Sequence, residues 1–224
     1  DLFHDTDAAL AASWAADRGM LTASGFDLSV VRDSSSFVEA IVTSEEGSCV
    51  LEWARDSAFR FFPLIEDGTL GLSLHPFDLA TNKVLALAGR LEPRDWVDVL
   101  TCDERLQPLG YLAYAACGKD PGYNPISLLA VAKRQRYSRA ELASLDFDGE
   151  TPDAQELGRR WHTILAAADR ICETLPADHV GTCVATRNGE LCRTDGEALE
   201  HALAEGALVF HEGSIGGAWP RIVT

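Results

Sequence analysis

Basic residues are scarce in this chain: 19 lysines and arginines stand against 35 aspartates and glutamates, a net charge of -16 over 224 residues. That balance argues against broad electrostatic binding to nucleic acid, which calls for a basic surface, and leaves room only for a local basic groove. The six cysteines, at 49, 102, 117, 172, 183 and 192, contain no C-x-x-C pair and no metal-ligand spacing, so they read as reduced thiols of the cytoplasm. No apolar run approaches the length of a membrane span, and no signal-peptide pattern is present. The expected location is cytoplasmic, with no membrane partner. Internal repeats and low-complexity tracts are missing as well. Position 1 is Asp rather than Met and leads straight into Leu2-Phe3, so the sequence reads as cut upstream.

What is present is 46% hydrophobic, enough for one generous domain or two small ones. Residues 7–18 predict a helix, capped by Asp5 or Thr6 and closed by Gly19. Alternating residues from Phe26 to Val30, then 37–42 and 49–54, predict a three-strand meander with turns at 33–36 and 44–48. A short strand over 68–74 precedes two helices, 77–90 and 93–104, the second with Pro93 in its first turn. Helices follow over 108–117, 125–136 and 138–145, then a linker over 146–153 and a long helix from the Asp153 cap to about Leu175. In the tail, strands 182–186 and 190–193 flank Asn188-Gly189, a strong hairpin signal. A helix over 199–205, a strand over 208–211 and a glycine-rich turn over 213–217 complete the reading.

The stretch 75–100, HPFDLATNKVLALAGRLEPRDWVDVL, places charges inside otherwise apolar helices. Leu79, Lys83, Ala86, Leu87 and Arg90 share one helical face, and Phe77, Ala80, Val84 and Leu91 cover much of the rest. Lys83 therefore either snorkels outward or points into a polar cleft. Asp95 and Asp98 share a face of the next helix, while Trp96, Val99 and Leu100 turn to a core. An ordinary structural account exists: acids favour a first turn, and Arg94 with Asp98 makes an i, i+4 pair. A short link at residues 89–92 can instead bring Lys83 to the two carboxylates. There the lysine can hold a phosphate oxygen as a point charge, oriented by a neighbouring acid. Glu52 lies between Leu51 and Trp53 but on the opposite strand face, unremarkable unless a second carboxylate adjoins it, for which Asp1 is the candidate.

The block from Lys83 to Asp98, taken with leading Asp1-Leu2-Phe3, the strand Val50-Leu51-Glu52-Trp53 and the run Asp56-Ser57-Ala58-Phe59-Arg60, resembles the nucleotidyltransferase toxins of the AbiEii/AbiGii type. These belong to the DNA polymerase β-like superfamily. The resemblance covers about the first two thirds of the chain. It implies an α+β fold: a partial polymerase β-like antiparallel or mixed sheet with flanking helices over residues 1–105, then a helical region with a small hairpin tail over 106–224. It casts Asp1, Lys83 and Asp95 as catalytic, Lys83, Asp98 and Arg90 as nucleotide-contacting, and Asp1 with Glu52 as ligands of Mg2+ or Mn2+, Asp56 being a weaker substitute for Glu52. The family's Gly-Ser turn and first aspartate have no counterpart here, and its third acid is Glu rather than Asp. On that reading residues 1–224 alone bind metal poorly and are inactive.

The implied reaction transfers a nucleotidyl group from a nucleoside triphosphate to the 3′ end of tRNA or to a protein side chain, as the toxin of a toxin-antitoxin pair. Two alternatives stay open: a non-catalytic interaction module, and an enzyme modifying a cationic small molecule such as an aminoglycoside. Elsewhere, Lys133-Arg134-Gln135-Arg136 with Tyr137 and Arg139 is the one dense basic cluster, read as a solvated helix end or as a track for phosphates. His75 and His211 are assigned no role.

Overall fold

A computed structural model describes residues 1–69 and 71–220, which form two compact units, Asp1–Ala58 and a second from Phe59 onward. The protein is α+β, as expected, with a mixed four-stranded sheet in the first unit. The packing divides after Ala58 rather than at residue 105, because the helices of 76–105 pack on later helices of the second unit. Among the described residues, no helix is long and apolar enough to cross a membrane.

In the first unit, β1 (Leu2–His4) leads into α1 (Asp7–Ala23), then the meander β2 (Asp27–Ser34), β3 (Phe37–Ser44) and β4 (Gly47–Arg55). The strand order is β1-β4-β3-β2; β1 lies parallel to β4, with Leu2 opposite Trp53, and the remaining pairs are antiparallel. Thr6 caps α1 by accepting the Ala9 N–H at 3.1 Å. The helix runs four residues past Gly19, because Met20-Leu21-Thr22-Ala23 sustain it until Gly25 takes φ 87°. Leu10 and Trp14 of α1 cover one sheet face at Val38, Ala40 and Trp53, and the Trp53 indole N–H donates to Asp17 at 2.7 Å. Glu52 projects from the other face, opposite Glu39 of β3.

The second unit opens with β5 (Phe59–Arg60) and the small hairpin β6 (Ile65–Asp67) and β7 (Gly71–Ser73); Leu70, within the expected strand over 68–74, lies outside the described residues. Helices α2 (Pro76–Arg90), α3 (Pro93–Arg105), α4 (Leu109–Ala116), α5 (Pro125–Ala132), α6 (Arg139–Ala143) and α7 (Ala154–Thr174) follow. Every residue of α4 is buried, since α2, α5 and α7 surround it. Gly110 makes this possible: a Cβ there would meet Ile171 of α7 at 2.7 Å. Asp153 caps α7 as anticipated, accepting the Glu156 N–H at 2.8 Å.

The tail departs most from expectation. The Asn188-Gly189 turn forms, with Gly189 N–H donating to Thr186 O at 2.9 Å, but residues 190–193 make only one isolated bridge, Ala185 to Leu191. Gln107 stands at its end: Val184 O accepts both the Cys192 N–H at 3.1 Å and the Gln107 amide at 2.9 Å, while Cys192 O is taken by the same amide at 2.8 Å. The full partner of β8 (Thr182–Thr186) is β9 (Leu208–Glu212), reached through α8 (Gly196–Ala204). The expected turn at 213–217 contains β10 (Ser214–Ile215), which pairs with β5.

Candidate functional site

The α2–α3 hairpin closes through Leu91, which adopts φ 56°, and Glu92, so that Pro93 starts the second helix and Asp95 comes back toward α2. Lys83 Nζ then lies 2.6 Å from Asp98 Oδ2 and 3.3 Å from Asp95 Oδ1. Arg90 grips the same Asp95 in a two-pronged fork, Nε to Oδ2 at 2.6 Å and Nη2 to Oδ1 at 2.9 Å. Asp95 is fully buried, whereas Lys83, Arg90 and Asp98 keep 35%, 49% and 44% of their side-chain surface. Trp96, Val99 and Leu100 pack into the core, as their spacing requires. The ordinary pair of Arg94 with Asp98 does not form. Asp98 spends its charge on Lys83 across the hairpin instead.

Burial alone would push the Asp95 carboxyl up, but the hydrogen bonds and charge of Arg90, joined by Lys83, hold it below the usual carboxylate range. A carboxyl lowered on folding contributes stability that is present above its unfolded value, about 4, and is lost as pH falls through its folded value. Denaturation between pH 7 and pH 2 is therefore expected to show an acid loss that Asp95→Asn reduces; identical pH profiles would refute it. Cys102 sits one turn beyond Asp98, and burial first, with Asp98's charge, pushes its thiol up to about 11. It stays protonated and carries no nucleophile. Tyr137 packs its ring on Trp96 at 5.4 Å, and burial together with Asp95's charge raises its phenol to about 12.

The structure thus brings Lys83, Arg90, Asp95 and Asp98 together. Asp1 and Glu52 belong to the first unit, Asp1 immediately before β1 and Glu52 one residue before Trp53, the partner of Leu2. Asp56 accepts the N–H of Ser57 on an exposed turn. Among the described residues, no group of three His, Cys, Asp or Glu side chains is placed to hold a metal ion.

Asp78 was missed by sequence reasoning. Its fully buried carboxylate accepts the N–H groups of Phe61 at 2.9 Å and Phe62 at 3.0 Å and pairs with Lys119 at 2.9 Å. Lys119 also donates to Asn82 Oδ1 at 2.8 Å. The signal that singled out Lys83, a charge in an apolar helix, applied equally to Phe77-Asp78-Leu79. His75 caps α2 through Nδ1, which accepts the Phe77 N–H at 3.2 Å, and its ring stacks on Phe62 at 4.2 Å. Burial lowers its pKa, against the pull of Asp78. His211 Nε2 lies 2.8 Å from Phe61 O and 2.9 Å from Ala218 O. Both histidines tie chain segments together.

No protein-family model, curated protein or solved structure matches this chain. The ion-pair cluster therefore stands on its geometry: one buried carboxylate locking two half-exposed cations, and one exposed carboxylate beside them.

Proposed function

We propose that the protein transfers a nucleotidyl group from a nucleoside triphosphate to an acceptor hydroxyl. The observation that carries this reading is Lys83 held between Asp95 and Asp98 across the α2–α3 hairpin, with its side chain 35% exposed. Asp95 is committed: buried and forked by Arg90, it fixes the position of Lys83, whose Nζ lies 3.3 Å from it. Asp98 is exposed, so an arriving phosphate oxygen can replace it on the ammonium at small cost. Lys83 then neutralises charge on the transferring phosphate, the kind of positioning and electrostatic work that dominates such reactions.

Mg2+ or Mn2+, when bound, would lower the pKa of the attacking hydroxyl and clamp the triphosphate. Asp1, just before β1, and Glu52, on the neighbouring strand β4, offer hard oxygen donors of the right type. A third ligand is not found beside them among the described residues. That same observation favours the second reading, a nucleotidyltransferase-like module that binds without catalysis. The acceptor, tRNA or protein, and a toxin role with a cognate antitoxin rest on the resemblance of the Lys83 to Asp98 block.

The deciding assay supplies the complete gene product with labelled nucleoside triphosphates, magnesium, and tRNA, protein or aminoglycoside acceptors. Label is expected on a macromolecular acceptor. Label on the aminoglycoside alone would reassign the acceptor to small molecules, and no transfer to any acceptor would leave the binding module.

A further inference from the structure

Within the cluster the charges cancel: Lys83 and Arg90 face Asp95 and Asp98. A neutral cluster attracts a polyphosphate weakly unless an uncompensated cation stands beside it. Arg94 is such a cation. It is exposed and has no ion pair, hydrogen bond or ring contact among the described residues, Glu92 and Asp98 included. In a chain this acidic that is unusual. Among the described lysines and arginines only Arg94, Arg105, Arg134 and Arg136 lack such a partner, whereas the others are engaged, from Arg55 on Asp7 to Arg193 on the Asp103 and Glu104 carbonyls.

Position completes the case. Arg94 lies four residues before Asp98 on α3, hence on the same helical face and one turn from the Lys83–Asp98 bond. Arg105 stands at the opposite end of α3. Arg134 and Arg136 belong to the α5–α6 link, whose Tyr137 packs on the buried Trp96, two residues from Arg94 and so off the face that Arg94 shares with Asp98.

We infer that Arg94 is the phosphate-recruiting residue of this site, binding the polyphosphate chain of the nucleotide that Lys83 receives. This rests on the proposed nucleotidyl transfer for its ligand class and adds a residue the resemblance does not assign. An arginine fork suits two phosphate oxygens at once, which a lysine cannot match. Because Arg94 is exposed and unattached, its removal leaves the fold intact, and its effect falls on binding.

The test is calorimetric titration of inorganic tripolyphosphate into the full chain at low ionic strength. Arg94→Gln is expected to weaken binding about tenfold, equivalent to about one charged hydrogen-bonding interaction. Arg94→Lys is expected to recover about half of that loss on a logarithmic scale, and the Arg134→Gln/Arg136→Gln double variant to stay within about twofold of the parent. Equal affinity in the parent and Arg94→Gln overturns the inference, as does absence of tripolyphosphate binding by the parent. So does a loss seen only with a single-stranded oligonucleotide lacking a 5′ triphosphate, which would make Arg94 a backbone contact. The two proposals fail separately. Tripolyphosphate binding that depends on Arg94 without any transfer sinks the catalytic reading alone; transfer with an unchanged triphosphate KM in Arg94→Gln sinks only this inference.

Discussion

Asp78→Ala is expected to lower the unfolding free energy by about 4 kcal/mol, the largest loss from a single side chain outside the apolar core. The substitution orphans two buried N–H groups, those of Phe61 and Phe62, and strands Lys119, whose side chain is only 8% exposed. Each buried unsatisfied donor costs about 1–3 kcal/mol and an uncompensated buried charge costs more. Lys119 keeps bonds to Asp78 O at 3.0 Å and Asn82 Oδ1 at 2.8 Å, which limits the damage. Asp78→Asn, retaining one acceptor oxygen, should lose about half as much. Equilibrium urea denaturation measures both; a loss below about 1 kcal/mol for the alanine variant would show that water replaces the carboxylate freely.

On the proposed nucleotidyl transfer, Lys83→Ala is expected to lower kcat by about 10²- to 10³-fold, the usual cost of removing one preorganised electrostatic contact to a reacting group. The fold should survive. Asp95 keeps the Arg90 fork, and Asp98 returns to solvent from a surface it already half shares. The melting temperature should therefore move little, since exposed pairs contribute about 0–1 kcal/mol. A purely structural lysine predicts the reverse pattern: full transfer with a lowered melting temperature. Lys83→Arg should restore little activity, because the longer planar guanidinium cannot occupy the ammonium's place between two carboxylates.

The cluster was legible because its determinants are local. Helical spacing set Asp95 and Asp98 on one face, and a link of a few residues forced the return toward Lys83. Asp98's choice of Lys83 over Arg94 was not legible: i, i+4 geometry offers both, and only the packing of α2 on α3 decides. The meander β2–β4 could be read from alternation and turn residues. The fate of residues 190–193 could not, since Gln107, over 80 residues earlier, takes the Cys192 carbonyl. Likewise Gly19 looked like a helix end, yet Met20 through Ala23 are good enough helix formers to pass it. Nothing local announces that Ser214–Ile215 will meet Phe59–Arg60.

That last pairing bears on how the molecule comes into being. β5 and β10 join the two extremes of the second unit, and His211 reaches Phe61 across 150 residues of chain. Closing so large a loop is entropically costly and rewarded only late, so this edge should be among the last parts to set. On the ribosome, the first unit can align its sheet once residue 55 has emerged, while the second must wait, helices formed but unsealed, for β10.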